Sequence, residues 1–405
     1  MTKPVPALGS DFRRLWVAMA AGQTGSALAM GAFTFVATEV LLATSFQVSL
    51  LAAAGTAAAG LLGLPVGPWV ELRRKRPVMI GADLVRAVAL FSVPIAHLAG
   101  VLTYVHLLVV AAVIGFGQLL SLTASTAHLK ALVSREQRTI AVSRIDTTSW
   151  IANSSGPPLG GVLLGVIGPT ITLGLDAVAH LASAFSLSRI RQPEPDPAPR
   201  PPDHRWVKDL TTGWSFVLGH ATLRPLFVNA MLFGAMIMGA QPLILLFMLR
   251  DLGFTPFQYG LTLGLPAAAG LAGAMLAPHL ERRWGRDRVM VVLGALRAVW
   301  LIPIAFAPPG LAGVAVIITC DTLLLFFAGA FNPLFAGHRM DAVPDHLMAR
   351  VSAAWSVSNR VLWPVAMLLF GALAVATSTQ VAILLSALAL LVSGVLLPWR
   401  LVRQD

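Results

Sequence analysis

Charged side chains are scarce in this sequence. Only 12% of its 405 residues are Asp, Glu, Lys or Arg, whereas soluble globular domains carry about 25%. Hydrophobic residues make up 57% of the chain, and the mean hydropathy is +0.78. This composition excludes a water-soluble protein and predicts a polytopic membrane protein, because a spanning helix needs about 20 mostly apolar residues.

Cysteine and the common sequence motifs of enzymes are lacking as well. The single cysteine, Cys320, excludes an internal disulfide and a Cys₂His₂ zinc site. The nine histidines are scattered, with none at metal-ligand spacing. A Walker loop is absent, which excludes ATP hydrolysis by that route. We therefore predict no enzymatic activity, no metal site and no cofactor.

Apolar runs divide the chain into twelve predicted spans, so the predicted fold class is an all-α membrane protein with twelve transmembrane helices. Each run is bounded by charges or by turn-forming residues. The predicted spans are 15–42, 48–70, 78–99, 103–127, 146–167, 169–188, 222–249, 257–280, 289–307, 311–336, 351–374 and 378–399.

Basic residues cluster in alternate connections between these spans. The clusters lie near residues 3–14, 73–76, 130–144, 282–288, 339–350 and 400–403, whereas the intervening connections hold one basic residue, Arg250. Cytoplasmic loops carry such an excess of Lys and Arg. The net charge of +11 therefore indicates topology and a lipid bilayer as partner, and not nucleic acid. We predict a multi-pass protein of the bacterial cytoplasmic (inner) membrane with both termini in the cytoplasm and no cleavable signal peptide.

The chain repeats itself at an offset of about 210 residues. "VMIGADLVRAVALF" at 78–91 aligns with "VMVVLGALRAVWLI" at 289–302, and "TSFQ" at 44–47 aligns with "TPFQ" at 255–258. The repeat predicts two parallel six-helix halves, which we assign to residues 1–190 and 222–405. Residues 191–221 are predicted to form a cytoplasmic linker, whose prolines favour extended backbone.

The connection after the second span carries a known signature. "GPWVELRRKR" (67–76) resembles the Gly-x-x-x-Asp-Arg-x-Gly-Arg-Arg/Lys pattern of major facilitator superfamily transporters, with a glutamate at the aspartate position and departures at Leu72 and Arg74. The repeat copy is "APHLERRWGRDR" (277–288). The resemblance implies gating by these connections; the alternative is that the basic cluster only sets topology. The implied gating residues are Gly67, Glu71, Lys75, Arg76, Glu281 and Arg282.

The predicted fifth span contains "GPPLGG" (156–161). It resembles the Gly-Pro-x-x-Gly-Gly signature that this superfamily associates with antiporters and export. Small residues let helix backbones approach closely in a membrane, and proline bends a helix whose freed groups find other partners. Gly156, Pro157, Gly160 and Gly161 are therefore expected to form a kinked, tightly packed contact.

The whole chain is similar to bacterial major facilitator transporters, in particular to the branch that includes enterobactin and macrolide exporters. The resemblance implies a substrate site between the halves near the bilayer midplane, a small-molecule substrate and a monomer. Our first hypothesis is proton-coupled export of a small amphipathic or hydrophobic compound by alternating access. An importer or facilitator of a small metabolite is the alternative, and a non-transporting membrane sensor or partner subunit is a third.

Ionisable residues inside spans are candidates for proton coupling, because they are costly at membrane depth. Asp321, in the tenth span, is the first candidate; alternatively, it pairs with Arg297 or Arg360. Asp176, in the sixth span, has a structural hydrogen-bonding role as its alternative. Glu39 lies near the outer end of the first span and lines the cavity mouth or reaches water.

The spans also contain paired ionisable residues and neutral polar residues. Asp83 and Arg86 are three residues apart and can pair; Arg86 repeats as Arg297, and we assign all three to the cytoplasmic gate. His180 lies four residues after Asp176 on the same helical face. Either the two form a relay, or His180 is a packing residue whose hydrogen bonds are satisfied. Neutral polar residues of the spans either face the cavity or form hydrogen bonds between helices, and they are Gln23, Asn229, Gln241 and Asn359.

Overall fold

Helices form every regular element in the part of the chain that this computed structural model describes, residues 8–134, 137–194 and 206–399. Inside a bilayer the backbone finds no water to bond, so a spanning segment must satisfy its own N–H and C=O groups. Within these described ranges, eight helices are long and apolar enough to cross a membrane. Helices also occupy the four other predicted ranges, 15–42, 48–70, 146–167 and 289–307. The total of twelve spans therefore stays a prediction.

The chain divides into two compact units, residues 1–43 with 54–201 and residues 44–53 with 202–405. The helices up to the division are α1 (Ser10–Leu28), α2 (Ala32–Phe35), α3 (Ser45–Glu71), α4 (Lys75–Leu98), α5 (Tyr104–Leu132), α6 (Arg138–Ile167) and α7 (Pro169–Ser188). Those after it are α8 (Trp206–Gly219), α9 (Leu223–Leu246), α10 (Pro256–Trp284), α11 (Arg286–Leu296), α12 (Leu301–Ile304), α13 (Leu311–Ala342), α14 (Asp345–Ala376) and α15 (Thr379–Ser393). The first turns of α3 belong to the second unit.

The same helix pairings recur inside each unit. In the first unit α1 packs against α6 and α7, and α4 packs against α5. In the second unit α9 packs against α14 and α15, and α11 packs against α13. The sequence repeat therefore corresponds to a repeated packing scheme, with a hydrophobic core in each unit.

The repeat extends to local backbone detail. A π-helical turn follows α2 in the first unit, at Val36–Val40, and α9 in the second, at Phe247–Asp251, 211 residues later. The motif "TSFQ" then forms a capping box, because the backbone N–H of Gln47 donates to the Thr44 hydroxyl at 3.3 Å and the Thr44 N–H donates to Gln47 Oε1 at 2.8 Å. "TPFQ" forms the same box at the start of α10. The repeated motif thus encodes a helix start.

Part of the predicted linker is helical. Within the predicted linker, residues 191–221, helix α8 begins at Trp206 where extended backbone was expected, whereas residues 195–205 lie outside the described part of the chain. Helix α8 packs on α14, where the indole N–H of Trp214 donates to Ser358 Oγ at 3.0 Å. Val217 of α8 is fully buried. Burial of these apolar side chains stabilises the helix beyond the proline-rich segment.

The "GPPLGG" segment lies inside α6, where Gly156, Pro157, Gly160 and Gly161 are all buried. A Cβ on Gly160 would overlap the carbonyl oxygen of Leu28, and a Cβ on Gly156 would overlap the side chain of Ala27. Glycine is thus required for the close contact between α6 and the end of α1.

We predict that Gly160→Ala destabilises the protein by about 1–3 kcal/mol, the usual cost of overpacking. Thermal unfolding of the purified protein in detergent micelles measures the effect. The control is Gly165→Ala in the same helix, because a Cβ there meets nothing within 4 Å. Equal destabilisation by both variants would contradict the proposed close contact.

The connection that precedes α3 contains a strained residue, Leu42. Leu42 has φ of 50° and is 77% exposed, whereas the repeat position holds Gly253 at φ of 65°. A left-handed conformation costs a non-glycine residue roughly 1–2 kcal/mol, partly offset by the entropy that glycine gains in the unfolded chain. We therefore predict that Leu42→Gly raises the unfolding midpoint and that Gly253→Leu lowers it. A lower midpoint for Leu42→Gly would contradict this account.

Candidate functional site

Four ionisable side chains meet inside the first unit. Asp83 and Arg86 lie on α4, and Asp176 and His180 lie on α7, which packs against α4. Each side chain is at most 6% exposed. The spacing of three residues on α4 and four on α7 places each pair on one helix face.

His180 lies between the two carboxylates. Its Nδ1 is 3.3 Å from Asp83 Oδ1, and its Nε2 is 3.4 Å from Asp176 Oδ1. Both distances are within ion-pair range, although neither ring nitrogen meets hydrogen-bond geometry with a described residue. Because each nitrogen faces a carboxylate, the ring can offer an N–H to both only as an imidazolium.

One oxygen of each carboxylate accepts a hydrogen bond from a serine hydroxyl. The Ser183 hydroxyl donates to Asp83 Oδ2 at 2.6 Å, and the Ser26 hydroxyl donates to Asp176 Oδ1 at 3.3 Å. A buried carboxylate without such donors would carry a large desolvation cost. The two serines therefore let both acids occupy an apolar helix bundle.

Arg86 supplies the positive charge of the cluster. Its Nη1 is 3.8 Å from Asp83 Oδ1, in line with the predicted pair, and its Nη2 donates to Gln118 Oε1 at 3.0 Å and to Ser26 Oγ at 3.4 Å. The aliphatic stem of Arg86 crosses α5 at Gly117, where a Cβ would overlap it. This glycine thus makes room for the arginine.

A cavity of about 100 Å³ is lined by three of the four groups, Asp83, Arg86 and His180, and α1, α4, α5 and α7 form its walls. Gln23, Ser121 and Ser125 add polar groups to its lining. A polar space of this size can hold water, and water is a route by which a proton can reach a buried group.

The second unit retains the arginine and lacks the other ionisable groups of the cluster. Arg297, the repeat of Arg86, donates to Asn229 Oδ1 at 2.8 Å. The rings of Phe233 and Phe331 lie 3.9 and 3.8 Å from its guanidinium carbon. Gly294, Ser386 and Leu390 stand at the repeat positions of Asp83, Asp176 and His180. A buried arginine in this fold therefore needs no carboxylate, so the acids and the histidine call for another explanation.

Asp321 belongs to the second unit and is not a member of this cluster. It is half-buried on α13, and it forms no hydrogen bond or ion pair with the residues that the structure describes. Arg297, one of its two expected partners, binds Asn229 instead. The other, Arg360, is half-buried on α14.

The remaining polar candidates have different surroundings. Glu39 is exposed in the π-helical turn, and Gln241 is exposed on α9. Gln23 accepts from the Ser149 hydroxyl at 2.7 Å. Asn359 is half-buried, and its Oδ1 has no hydrogen-bond partner in the described ranges.

In the second unit, an arginine joins the basic connection to a neighbouring helix. Arg286 Nε donates to Glu281 at 2.6 Å, and the same guanidinium bonds to Asp341 at the end of α13. These hydrogen bonds raise the pKa of Arg286. Arg282, which the resemblance assigned to the gate, is exposed at the end of α10. The contact that joins this connection to the end of α13 is therefore centred on Arg286 and not on Arg282.

In the first unit, the carboxylate at the start of α4 comes from an unexpected residue. The surroundings of Gly67 and the side chain of Glu71 lie outside the described part of the structure. Glu194, after α7, accepts hydrogen bonds from the backbone N–H groups of Lys75 and Arg76. A carboxylate at a helix N-terminus is favourable because it pairs with free N–H groups and the helix dipole.

Arg76 completes this connection. Its side chain donates to the carbonyl oxygens of Leu187, at 3.0 Å, and Ser188 at the end of α7. Two sets of hydrogen bonds thus join the basic connection after α3 to the end of α7. The Arg76 side chain donates to α7 carbonyls, and Glu194 accepts from the backbone at the start of α4.

Comparison with known proteins identifies the family. The sequence profile described as Major Facilitator Superfamily matches residues 15–366 and also 226–405. The chain belongs to the major facilitator superfamily. It is a multi-pass membrane transporter for a small-molecule substrate, and the family predicted from the loop signatures is confirmed.

Two curated relatives are exporters by name. The multidrug efflux pump Tap of Mycolicibacterium fortuitum is 24% identical over 391 residues, which cover 94% of this chain and 93% of Tap. The enterobactin exporter EntS of Shigella flexneri is 26% identical over 287 residues, covering 70% of this chain and 65% of EntS.

Solved structures share the fold. The nucleoside transporter NupG superposes with a TM-score of 0.74 at 14% identity, covering 96% of this chain and 98% of NupG. A bacterial homologue of the iron transporter ferroportin, in an inward-facing state, gives a TM-score of 0.68 at 17% identity, covering 96% of this chain and all of that chain. At these identities the likeness concerns the fold alone.

The neutral partners of the buried cluster were not predicted from the sequence of this transporter. Gln118, Ser26 and Ser183 had no assigned role, although each is a polar residue within an apolar run. Glu194 was overlooked because it lies beyond the span boundary. Polar residues spaced along an apolar span were the available signal for the first three.

We predict that Ser183→Ala destabilises the transporter by about 1.5–3 kcal/mol, the range for a hydrogen bond to a charged group, because a buried oxygen of Asp83 loses its donor. Thermal unfolding in detergent micelles measures this. Ser155→Ala is the matched control, since the Ser155 hydroxyl bonds only to the carbonyl of Ile151 in its own helix. The same midpoint for both variants would show that the bond to Asp83 contributes nothing.

Proposed function

We propose that this transporter exports a small amphipathic or hydrophobic compound across the bacterial cytoplasmic membrane in exchange for protons. We further propose that it works as a monomer with both termini in the cytoplasm. The names of Tap, a multidrug efflux pump, and EntS, an enterobactin exporter, support the outward direction. The basic connections between spans support the orientation.

The observation that carries the proton coupling is the buried cluster of Asp83, Arg86, Asp176 and His180. With a neutral imidazole the four groups have a net charge of −1, from two carboxylates and one guanidinium. One added proton brings the cluster to zero, which an apolar interior favours. We therefore assign the transported proton to this cluster before Asp321, which has neither a counter-charge nor a hydrogen-bond donor among the described residues.

The position of His180 suggests where that proton resides. In a neutral imidazole one nitrogen carries a lone pair, and here that lone pair would face a carboxylate 3.3 or 3.4 Å away. In an imidazolium both nitrogens carry protons, and both contacts become attractive. Proton binding thus holds α4 and α7 together through His180, and proton release removes one attraction and leaves a repulsion.

A short path of contacts leads from this cluster to the "GPPLGG" helix. Gly25 of α1 packs against Asp176, and a Cβ on Gly25 would overlap its carboxylate. The next turn of α1, at Ala27 and Leu28, carries the close contact with Gly156 and Gly160 of α6. We propose that movement of the α7 carboxylate is transmitted through α1 to this tightly packed, proline-containing helix.

The experiment is accumulation of fluorescent dyes and antibiotics in inverted membrane vesicles, driven by a proton gradient. We predict that Asp176→Asn and His180→Gln each lower gradient-driven accumulation at least tenfold, because each variant removes a group that holds the proposed transported proton. We also predict that both variants still exchange substrate across the membrane at equal pH. Retained exchange separates loss of coupling from misfolding.

Asp146→Asn is the matched control, because it makes the same change at an exposed carboxylate of α6. Asp321→Asn tests the other candidate. If Asp321→Asn abolishes accumulation and the two cluster variants do not, the coupling assignment is wrong. If the wild type moves substrate out of inverted vesicles instead of into them, the protein is an importer and the proposed direction is wrong.

A further inference from the structure

A long groove lies on the first unit, separate from the buried cluster. Its volume is about 730 Å³, and its walls come from the end of α3, the start of α4 and the middle of α5. The walls are almost wholly apolar, with Val78, Val85, Val113 and Phe116 among the lining residues. Gly81 leaves the floor open, since a Cβ there would meet nothing within 4 Å.

The groove opens onto the apolar outer surface of the spanning helices. Val85 is 56% exposed, and its neighbours Leu84 and Val88 on α4 are exposed as well. In a membrane protein such a surface faces hydrocarbon. The body of an occupant must therefore be apolar.

One end of the groove is basic. Arg73 and Arg74, in the connection between α3 and α4, line this end and are exposed. The guanidinium of Arg73 lies 5.7 Å from the ring centre of Trp69, which also lines the groove. Tryptophan beside basic residues is typical of the level of the lipid headgroups. The head of the occupant must therefore be anionic.

The length of the groove fits one leaflet of a bilayer. Ten residues of α4 separate Lys75 from Val85, which corresponds to about 15 Å along a helix. Half of a hydrocarbon core of about 30 Å is also about 15 Å. An acyl chain that starts at the arginines would therefore reach Val85 near the bilayer centre.

We propose that this groove is a binding site for one anionic phospholipid, with its phosphate at Arg73 and Arg74 and an acyl chain along α4 and α5. In the proposed orientation the arginines face the cytoplasmic leaflet, which carries the anionic lipids. This site is independent of the transported substrate and of the direction of transport.

The second unit provides an internal control. The repeat alignment places Val292 at the position of Gly81, so a branched side chain stands where the groove floor is open. Arg282 and Arg283 precede Trp284 and are exposed at the corresponding helix end. Basic charge is thus similar in the two units, whereas the glycine is particular to the first.

The test is native mass spectrometry of the full-length protein in detergent, with phosphatidylglycerol and phosphatidylcholine of identical acyl chains as probes. We expect the wild type to retain one phosphatidylglycerol in preference to phosphatidylcholine. In the double variant Arg73→Gln/Arg74→Gln, the ratio of retained phosphatidylglycerol to phosphatidylcholine should fall about tenfold, since each basic residue near a membrane surface contributes measurably to anionic lipid binding. Gly81→Trp should reduce retention of both lipids by filling the groove.

Arg282→Gln/Arg283→Gln is the matched control, and we expect it to bind as the wild type does. Thermal unfolding in the same detergent checks that every variant is folded. Undiminished phosphatidylglycerol preference in the Arg73/Arg74 double variant would overturn the proposal, as would displacement of the lipid by equimolar inorganic phosphate. If Gly81→Trp blocks dye transport yet retains phosphatidylglycerol, the groove is a substrate entrance and the lipid assignment is wrong.

Discussion

Burial of charge in an apolar helix bundle is the constraint on which the first unit depends. Two carboxylates, a guanidinium and an imidazole lie between α4 and α7, each almost completely removed from solvent. Such groups are tolerated only where each finds a counter-charge or a donor. The positions of Ser26 and Ser183, the glycine beneath the arginine stem, and the packing of α1 against α7 all follow from this requirement.

The two units show which parts of this arrangement the fold itself demands. Both retain a buried arginine and the same helix pairings, and the capped helix start recurs in both copies of the sequence repeat. In the second unit an amide and two aromatic faces surround the arginine, and its neutral surroundings suffice. The titratable groups of the first unit are therefore additional to the scaffold, which is why we connect them with energy coupling and not with stability.

Much of this molecule could be predicted from its sequence, because hydropathy and the basic connections define spans without reference to tertiary contacts. The pairing of Asp83 with Arg86 follows from helix periodicity, and the close contact at Gly160 follows from the family signature. The meeting of α4 with α7 at His180 could not be predicted, since it depends on how two helices a hundred residues apart are packed. Helix α8 and the role of Glu194 were missed for a related reason: a proline-rich composition obscured the short apolar segment, and a carboxylate outside every span gave no signal.

The paired π-helical turns, at Val36–Val40 and Phe247–Asp251, also bear on how the chain arose by duplication. A π-helical turn accommodates one more residue than the α-helix around it, and an identical insertion at equivalent places in two copies is most simply inherited. The half-length ancestor therefore already had this irregular turn, the capped helix start and the buried arginine. The charges around Arg86 and the aromatic rings around Arg297 mark where the two copies diverged after duplication, so this difference between the halves is younger than the fold.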